Sequence, residues 1–266
     1  MNQTKARLIV IDIDGTIIDK PVGVPVHKRV REAVREAREA GAKVGLCSAR
    51  PCYYMQDATQ GLDGVDALIG CSGAMIELDG KAVYRAAIPK EQLLACFETA
   101  KEKDMYMSFA GDKKILVCKK GPVSPPLEYG SVFVIMEDAE LLEALKADDY
   151  YCAFIFTKAG VRKEDVFKDP RFQGATIHKA SQNSFNLTKG DTNKGTGALF
   201  LAGLWGVPRE GILAIGNDEN DIPMFEAAGT GVAVANAGED VIAAADWVAP
   251  DVRHGGAADA IRRFAL

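Results

Sequence analysis

The chain has no block of clustered lysine and arginine, no CxxC pair, and only three histidines, none at metal-ligand spacing. With a formal net charge of -5, the first absence argues against a nucleic-acid binder, because such proteins neutralise phosphates with a concentrated basic surface. The other two remove the usual frameworks of a zinc site. The six cysteines (Cys47, Cys52, Cys71, Cys96, Cys118, Cys152) are scattered, so reduced and mostly buried thiols are expected rather than disulfides. No apolar run reaches membrane-spanning length. The stretch Leu8 to Ile13 is interrupted by Asp12 and is too short even for the core of a signal peptide, so a cytoplasmic protein without a membrane partner is expected. No GxGxxG follows that stretch, which disfavours a dinucleotide-binding oxidoreductase. Internal repeats and low-complexity tracts are also missing.

What is present is an ordinary folded composition, 48% hydrophobic and 26% charged over 266 residues, enough for one large α/β domain or two smaller ones. Leu8 to Ile13 reads as a strand buried on both faces of a parallel sheet. Val26, Val30, Ala33, Val34 and Ala37 follow helical spacing up to a cap at Gly41, Lys43 to Cys47 returns to strand, Pro51 suits the first turn of a helix, and Ala67 to Gly70 reads as a third strand. This order predicts a doubly wound parallel sheet of Rossmann type. Asp79-Gly80 signals a hairpin, after which helices and antiparallel strands mix. Gly121-Pro122 and Pro125-Pro126 read as loops in that stretch. Strand and helix alternate again after Thr188, with helices at Lys194 to Leu204 and Ile222 to Ala228 and strands at Ile212 to Ile215 and Val232 to Val234. The expected division is a core of residues 1–84 and 184–266, and an inserted α/β cap of residues 85–183 sitting over it.

Ligands of a parallel sheet bind beyond the carboxyl ends of its strands. Asp12-Ile13-Asp14-Gly15-Thr16 falls at such an end, and two carboxylates sharing a site call for a cation. An all-oxygen site with few protein ligands favours Mg2+. Ser48, followed by Ala49 and Arg50, stands just past the second strand, where its hydroxyl either caps a helix or meets a phosphate. Lys194 opens a helix whose N-terminus is already partly positive, so it either points to solvent or faces an anion. Gly216-Asn217-Asp218-Glu219-Asn220-Asp221 gathers carboxylates and amides at a further strand end, as a hard-cation site would.

These pieces, in this order, resemble the haloacid dehalogenase superfamily, and in detail its Cof-type (subclass IIB) phosphatases. Cys71-Ser72-Gly73-Ala74, Thr192-Asn193-Lys194-Gly195, Pro223-Met224-Phe225 and Gly231 to Ala237 also carry the resemblance, which spans essentially the whole chain. It implies a Mg2+-dependent phosphomonoester hydrolase acting on a small phosphorylated metabolite. Asp12 is then the nucleophile that forms an aspartyl-phosphate, and Asp14 the general acid and base. Metal contacts are implied for Asp12, Asp14, Asn217 or Asp218, and Asp221. Phosphate contacts are implied for Ser48, Ala49, Arg50, Lys194 and Asn220. Three positions depart from the family pattern: Asn217-Asp218 where aspartate and glycine are usual, Ser48-Ala49-Arg50 where Thr-Gly-Arg is frequent, and Ser72 where asparagine is frequent.

Two rivals remain at this level, a sugar phosphomutase and a non-catalytic sensor of a phosphometabolite. Sugar phosphates lead the substrate classes, with phosphoglycolate and similar small acids behind. Lys158, Arg162, Lys163 and His178 of the insert are polar candidates for specificity without an assignment, and nothing in the sequence speaks to oligomeric state.

Overall fold

In the computed structural model, which describes residues 5–19, 25–62, 64–119, 132–158, 160–181 and 183–266, the first strand β1 (Leu8–Ile11) has all four side chains buried. The Gly121-Pro122 and Pro125-Pro126 loops lie outside the described residues. Alternation along β1 divides its side chains between two cores. Ile9 and Ile11 join Val30, Val34 and Ile261, whereas Leu8 and Val10 join Ala198, Leu201 and Phe225. The strand ends before the expected Ile13 because the next residues coil into a turn, in which the N–H groups of Thr16, Ile17 and Ile18 all point to the Ile13 carbonyl.

Helix α1 (Lys28–Glu39) buries Val30, Ala33, Val34 and Ala37 on one stripe. There follow β2 (Lys43–Cys47), the short α2 (Gln56–Gln60), β3 (Ala67–Gly70) and a hairpin of β4 (Met75–Leu78) and β5 (Lys81–Arg85). Pro51 precedes a single 3-10 turn at Cys52–Tyr54 rather than a long helix. The chain then builds a second unit from α3 (Lys90–Glu102), β6 (Tyr106–Ala110), β7 (Ile115–Cys118), β8 (Phe133–Met136), α4 (Asp138–Ala147), β9 (Cys152–Phe156), α5 (Lys163–Val166), β10 (Thr176–Ser181) and β11 (Ser184–Thr188). It returns with α6 (Lys194–Trp205), β12 (Ile212–Gly216), α7 (Ile222–Ala227), β13 (Thr230–Val234), α8 (Glu239–Ala244), β14 (Trp247–Ala249) and α9 (Gly256–Phe264).

Two units result, Met1–Tyr84 with Asn193–Leu266, and Arg85–Thr192. In the first, the strand order is β14-β13-β12-β1-β2-β3-β4-β5, parallel from β14 to β3 and closed by the antiparallel hairpin. Sequential strands spread to one side of β1 and later ones to the other, so β1 is the point where winding reverses and a crevice opens at the strand ends. In the second unit the order is β10-β11-β9-β6-β7-β8, antiparallel except for β7 with β8. Leu93, Cys96, Leu141 and Leu145 share its core with Met107, Phe109, Leu116 and Ile155. The expected boundary at 183/184 cuts the β10–β11 hairpin. Residues through Thr192 stay with the second unit because Phe185 and Leu187 point into its core and β11 pairs with β9. All six cysteines are buried. Among the described residues no helix is long and apolar enough to cross a membrane.

Candidate active site

Asp12 follows the last residue of β1. Because Ile11 pairs with Leu46 on one side and with Ile215 on the other, the Ser48 loop and the Gly216–Asp221 loop flank it. Asp12 is 4% exposed. Its Oδ1 accepts from Lys194 Nζ at 2.6 Å and its Oδ2 from the Thr16 hydroxyl at 2.9 Å. Lys194 is fully buried and also donates to Asp221 Oδ1 at 2.5 Å, so one ammonium bridges two carboxylates. The facing anion that its helix-start position required is therefore supplied by the protein itself. Asp221 Oδ2 in turn accepts the N–H groups of Asn217 at 2.8 Å and Asp218 at 3.0 Å, which fixes the loop after β12.

Close approach of α6 makes this contact possible. A Cβ on Gly195 would lie 2.2 Å from the Pro223 carbonyl oxygen, a backbone atom that cannot move aside. Gly195→Ala is expected to destabilise the protein by about 1–3 kcal/mol and to reduce turnover by shifting Lys194. Urea unfolding together with a phosphate-release assay checks both effects.

Burial and the neighbouring Asp221 carboxylate push the Asp12 carboxyl up to about 7, against the pull of Lys194. The same two carboxylates hold Lys194 above its ordinary range despite its burial. With a folded-state value above the unfolded one, the contribution of Asp12 to stability is fully present below about pH 4 and is lost as pH rises through about 7. In EDTA, Asp12→Asn should flatten that fall between pH 5 and 8, a change read as urea midpoint against pH.

The Asn217 carboxamide lies 2.9 Å from the Asp14 carbonyl oxygen, 3.0 Å from Asp12 Oδ2 and 2.8 Å from Thr16 Oγ1. Thr16 gives its proton to Asp12, so all three neighbours are acceptors and the amide nitrogen faces them. Gly15, at φ +84, leaves room for this group, since a Cβ there would fall 2.5 Å from the amide. Turned over, the amide would present its oxygen to the same neighbours. Among the described residues no three His, Cys, Asp or Glu side chains converge on one point. A cation here would therefore draw on one carboxylate, one carbonyl and one amide, and that all-oxygen set fits a small hard ion.

The remaining expected residues fall at different distances from this centre. Ser48 is buried beyond β2, and its Oγ accepts the Arg50 N–H at 3.1 Å. Ala49 is half-buried between them. Arg50, grouped with the phosphate contacts in the sequence, holds Asp14: Nε donates to Oδ2 at 2.8 Å and Nη2 to Oδ1. Asp218 accepts from the Glu219 N–H at 2.8 Å, and burial raises its carboxyl. Among the described residues no hydrogen bond joins Asn220 to Asp12, Ser48 or Lys194, and its buried Oδ1 has no donor. In the second unit, Arg162 pairs with Asp165 and Lys163 donates to the Ile177 carbonyl, while Lys158 is exposed and His178 half-buried in β10. Thr16 was missed as a functional residue. So was Asn236, which donates to the Gly15 carbonyl at 2.8 Å and accepts the Val252 N–H at 3.0 Å, tying the turn after β1 to the C-terminal region. Its only sequence signal was membership of the Gly231 to Ala237 run.

Comparison with known proteins bears on the family and the fold. The model of haloacid dehalogenase-like hydrolases matches residues 9–261. A phosphoglycolate phosphatase of Methanoculleus marisnigri is 29% identical over 264 residues, covering 97% of this chain and 96% of that one. Another, from Methanothermobacter thermautotrophicus, is 28% identical over 97% of this chain and 98% of its own. A solved subclass IIB sugar phosphatase of the superfamily superposes with a TM-score of 0.84 at 23% identity, over 97% of this chain and 99% of that one. At that identity the likeness speaks to the fold.

Proposed function

The chain belongs to the haloacid dehalogenase-like hydrolases and is a phosphatase of the Cof type, and on that ground we propose that it hydrolyses small phosphomonoesters through an aspartyl-phosphate on Asp12. The observation that carries this reading is the buried Asp12 carboxylate, held between Lys194 and Thr16 beside the Asp14 carbonyl and the Asn217 amide.

Asp12, Asp14 through its carbonyl, and Asn217 through its amide oxygen would hold Mg2+, which when bound offsets the repulsion between carboxylate and phosphate. Asn217 suits this better than Asp218, whose carboxylate is engaged with its own loop. Lys194 fixes Asp12 Oδ1, leaving the carboxylate aimed and unable to rotate. In the first step an Asp12 oxygen bonds to phosphorus, the phosphorus–ester bond breaks, and Asp14 gives its proton to the departing oxygen. In the second, Asp14 takes a proton from water, which attacks phosphorus and releases phosphate from Asp12. Ser48, with the backbone N–H groups that follow it, is assigned to the phosphoryl oxygens. Asp221 acts by fixing Lys194 and the 217–218 backbone.

Sugar phosphates were the class expected first from the sequence. The two relatives at 28–29% identity that are phosphoglycolate phosphatases support small acidic esters as strongly. The test is phosphate release from a panel containing both classes, with and without Mg2+. Magnesium-dependent release is the expected result. Transfer of phosphate between positions of a sugar without net release would replace this reading with a mutase.

A further inference from the structure

Three acceptors face one side of the Asn217 carboxamide: the Asp14 carbonyl oxygen at 2.9 Å, Asp12 Oδ2 at 3.0 Å and Thr16 Oγ1 at 2.8 Å. Acceptors grouped in this way need a positive partner between them. Two groups can supply it. One is the amide's own pair of N–H bonds; the other is a cation, with the amide turned so that its oxygen joins the set. Each excludes the other, because N–H bonds aimed at the cation's place would repel it.

We infer that Asn217 is a two-position element of the metal site proposed above, on which this inference rests. Without a cation its N–H groups bind Asp12, Asp14 and Thr16 together, and on loading it turns over to offer its oxygen.

The surroundings suit both positions. The torsion that turns a carboxamide has broad minima half a turn apart, so nitrogen and oxygen exchange places with little displacement of either. The backbone need not follow, since Asp221 Oδ2 holds the Asn217 N–H at 2.8 Å and the Asp218 N–H at 3.0 Å. Gly15 leaves both ends of the amide free: a Cβ there would lie 2.5 Å from one end and 3.2 Å from the other. Thr16 serves either position, because a hydroxyl both donates and accepts. It accepts from the amide nitrogen while giving its proton to Asp12 at 2.9 Å, and it can give that proton to the amide oxygen instead.

An aspartate at position 217 would have only the second position. It would set a carboxylate oxygen where the amide now stands, 3.0 Å from Asp12 Oδ2, while Lys194 is already committed to Asp12 Oδ1 and Asp221. Such a site would depend on its ion to hold together. With asparagine the site is satisfied without the ion, and the ion must displace bonds already made. Mg2+ is therefore held less tightly, and turnover follows free Mg2+ over a range in which an aspartate site would stay loaded.

The test reads the amide itself. Native protein carrying isotopically labelled asparagine is followed by NMR, the Asn217 side-chain signals being those missing from both Asn217→Asp and Asn217→Ala. In EDTA these protons should exchange with water at least about tenfold more slowly than in saturating Mg2+, and the change should track the Mg2+ isotherm measured by calorimetry. Asn217→Asp, which has the oxygens without the donors, should bind Mg2+ at least about tenfold more tightly than the native chain. It should also unfold at lower urea than the native chain in EDTA at pH 8, with Mg2+ closing the gap. Exchange unaltered by Mg2+ that calorimetry shows to be bound, or an Asn217→Asp chain as stable as the native one in EDTA, overturns the inference and leaves the phosphatase reading standing. No binding of Mg2+ by the native protein overturns the magnesium part of that reading, and this inference with it.

Discussion

Asp12→Asn will lower turnover of any phosphomonoester by about 10⁴-fold or more while leaving the protein at least as resistant to urea as the native chain at pH 8. The two halves of that result have one cause. Asp12 is buried beside Asp221, so its negative charge is costly in the folded state, and an amide of the same shape is not. Lys194 keeps Asp221 as a partner after the substitution. A residue retained despite a cost to stability is one retained for its chemistry. Steady-state phosphate release and urea unfolding measured on the same preparation check the pair of effects. Substantial turnover in the variant would remove Asp12 from the nucleophile's role.

Lys194→Met reverses the balance. It removes the one ammonium between two buried carboxylates, and losing one partner of a buried pair costs about 3–5 kcal/mol because the remaining charge is left uncompensated. Here two charges are left, and the same substitution frees Asp12 Oδ1 to rotate. The variant should unfold at markedly lower urea at pH 8, recover part of the deficit near pH 5 as a carboxyl takes up a proton, and turn over at least about 10³-fold more slowly. A variant as stable as the native protein at pH 8 would mean that the bridge contributes nothing to the fold.

The parts of this site that were legible in the sequence are those written in short-range pattern. The apolar run Leu8 to Ile13 and the Gly216 to Asp221 cluster behind Ile212 are each local, and they placed both strands, the first ending two residues earlier than expected. The pairings were not local. Lys194 meets Asp12 across 182 positions, and its helix-start position left open whether it faced solvent or an anion. Arg50 was assigned to phosphate by its place in a motif, whereas the bidentate contact with Asp14 depends on how the turns after β1 and β2 face each other. Thr16 entered only as the last residue of the run from Asp12, because the two groups its hydroxyl joins come together only when β12 lies beside β1. Other misses were avoidable. Helix α9 carries Ala257, Ala258, Ala260, Ile261 and Phe264 at helical spacing, and Phe185 and Leu187 alternate in β11 as a half-buried strand should. Reading them would have moved the unit boundary past Thr188.

The central claim is covalent transfer of phosphate to Asp12, and the most direct measurement is an acid quench during turnover of a good substrate, followed by borohydride reduction and peptide mass spectrometry. The account predicts one phosphoryl group on the peptide spanning residues 8–28 before reduction, and homoserine at position 12 after it. Sustained turnover with no label at Asp12, or with the label on another side chain, would contradict it.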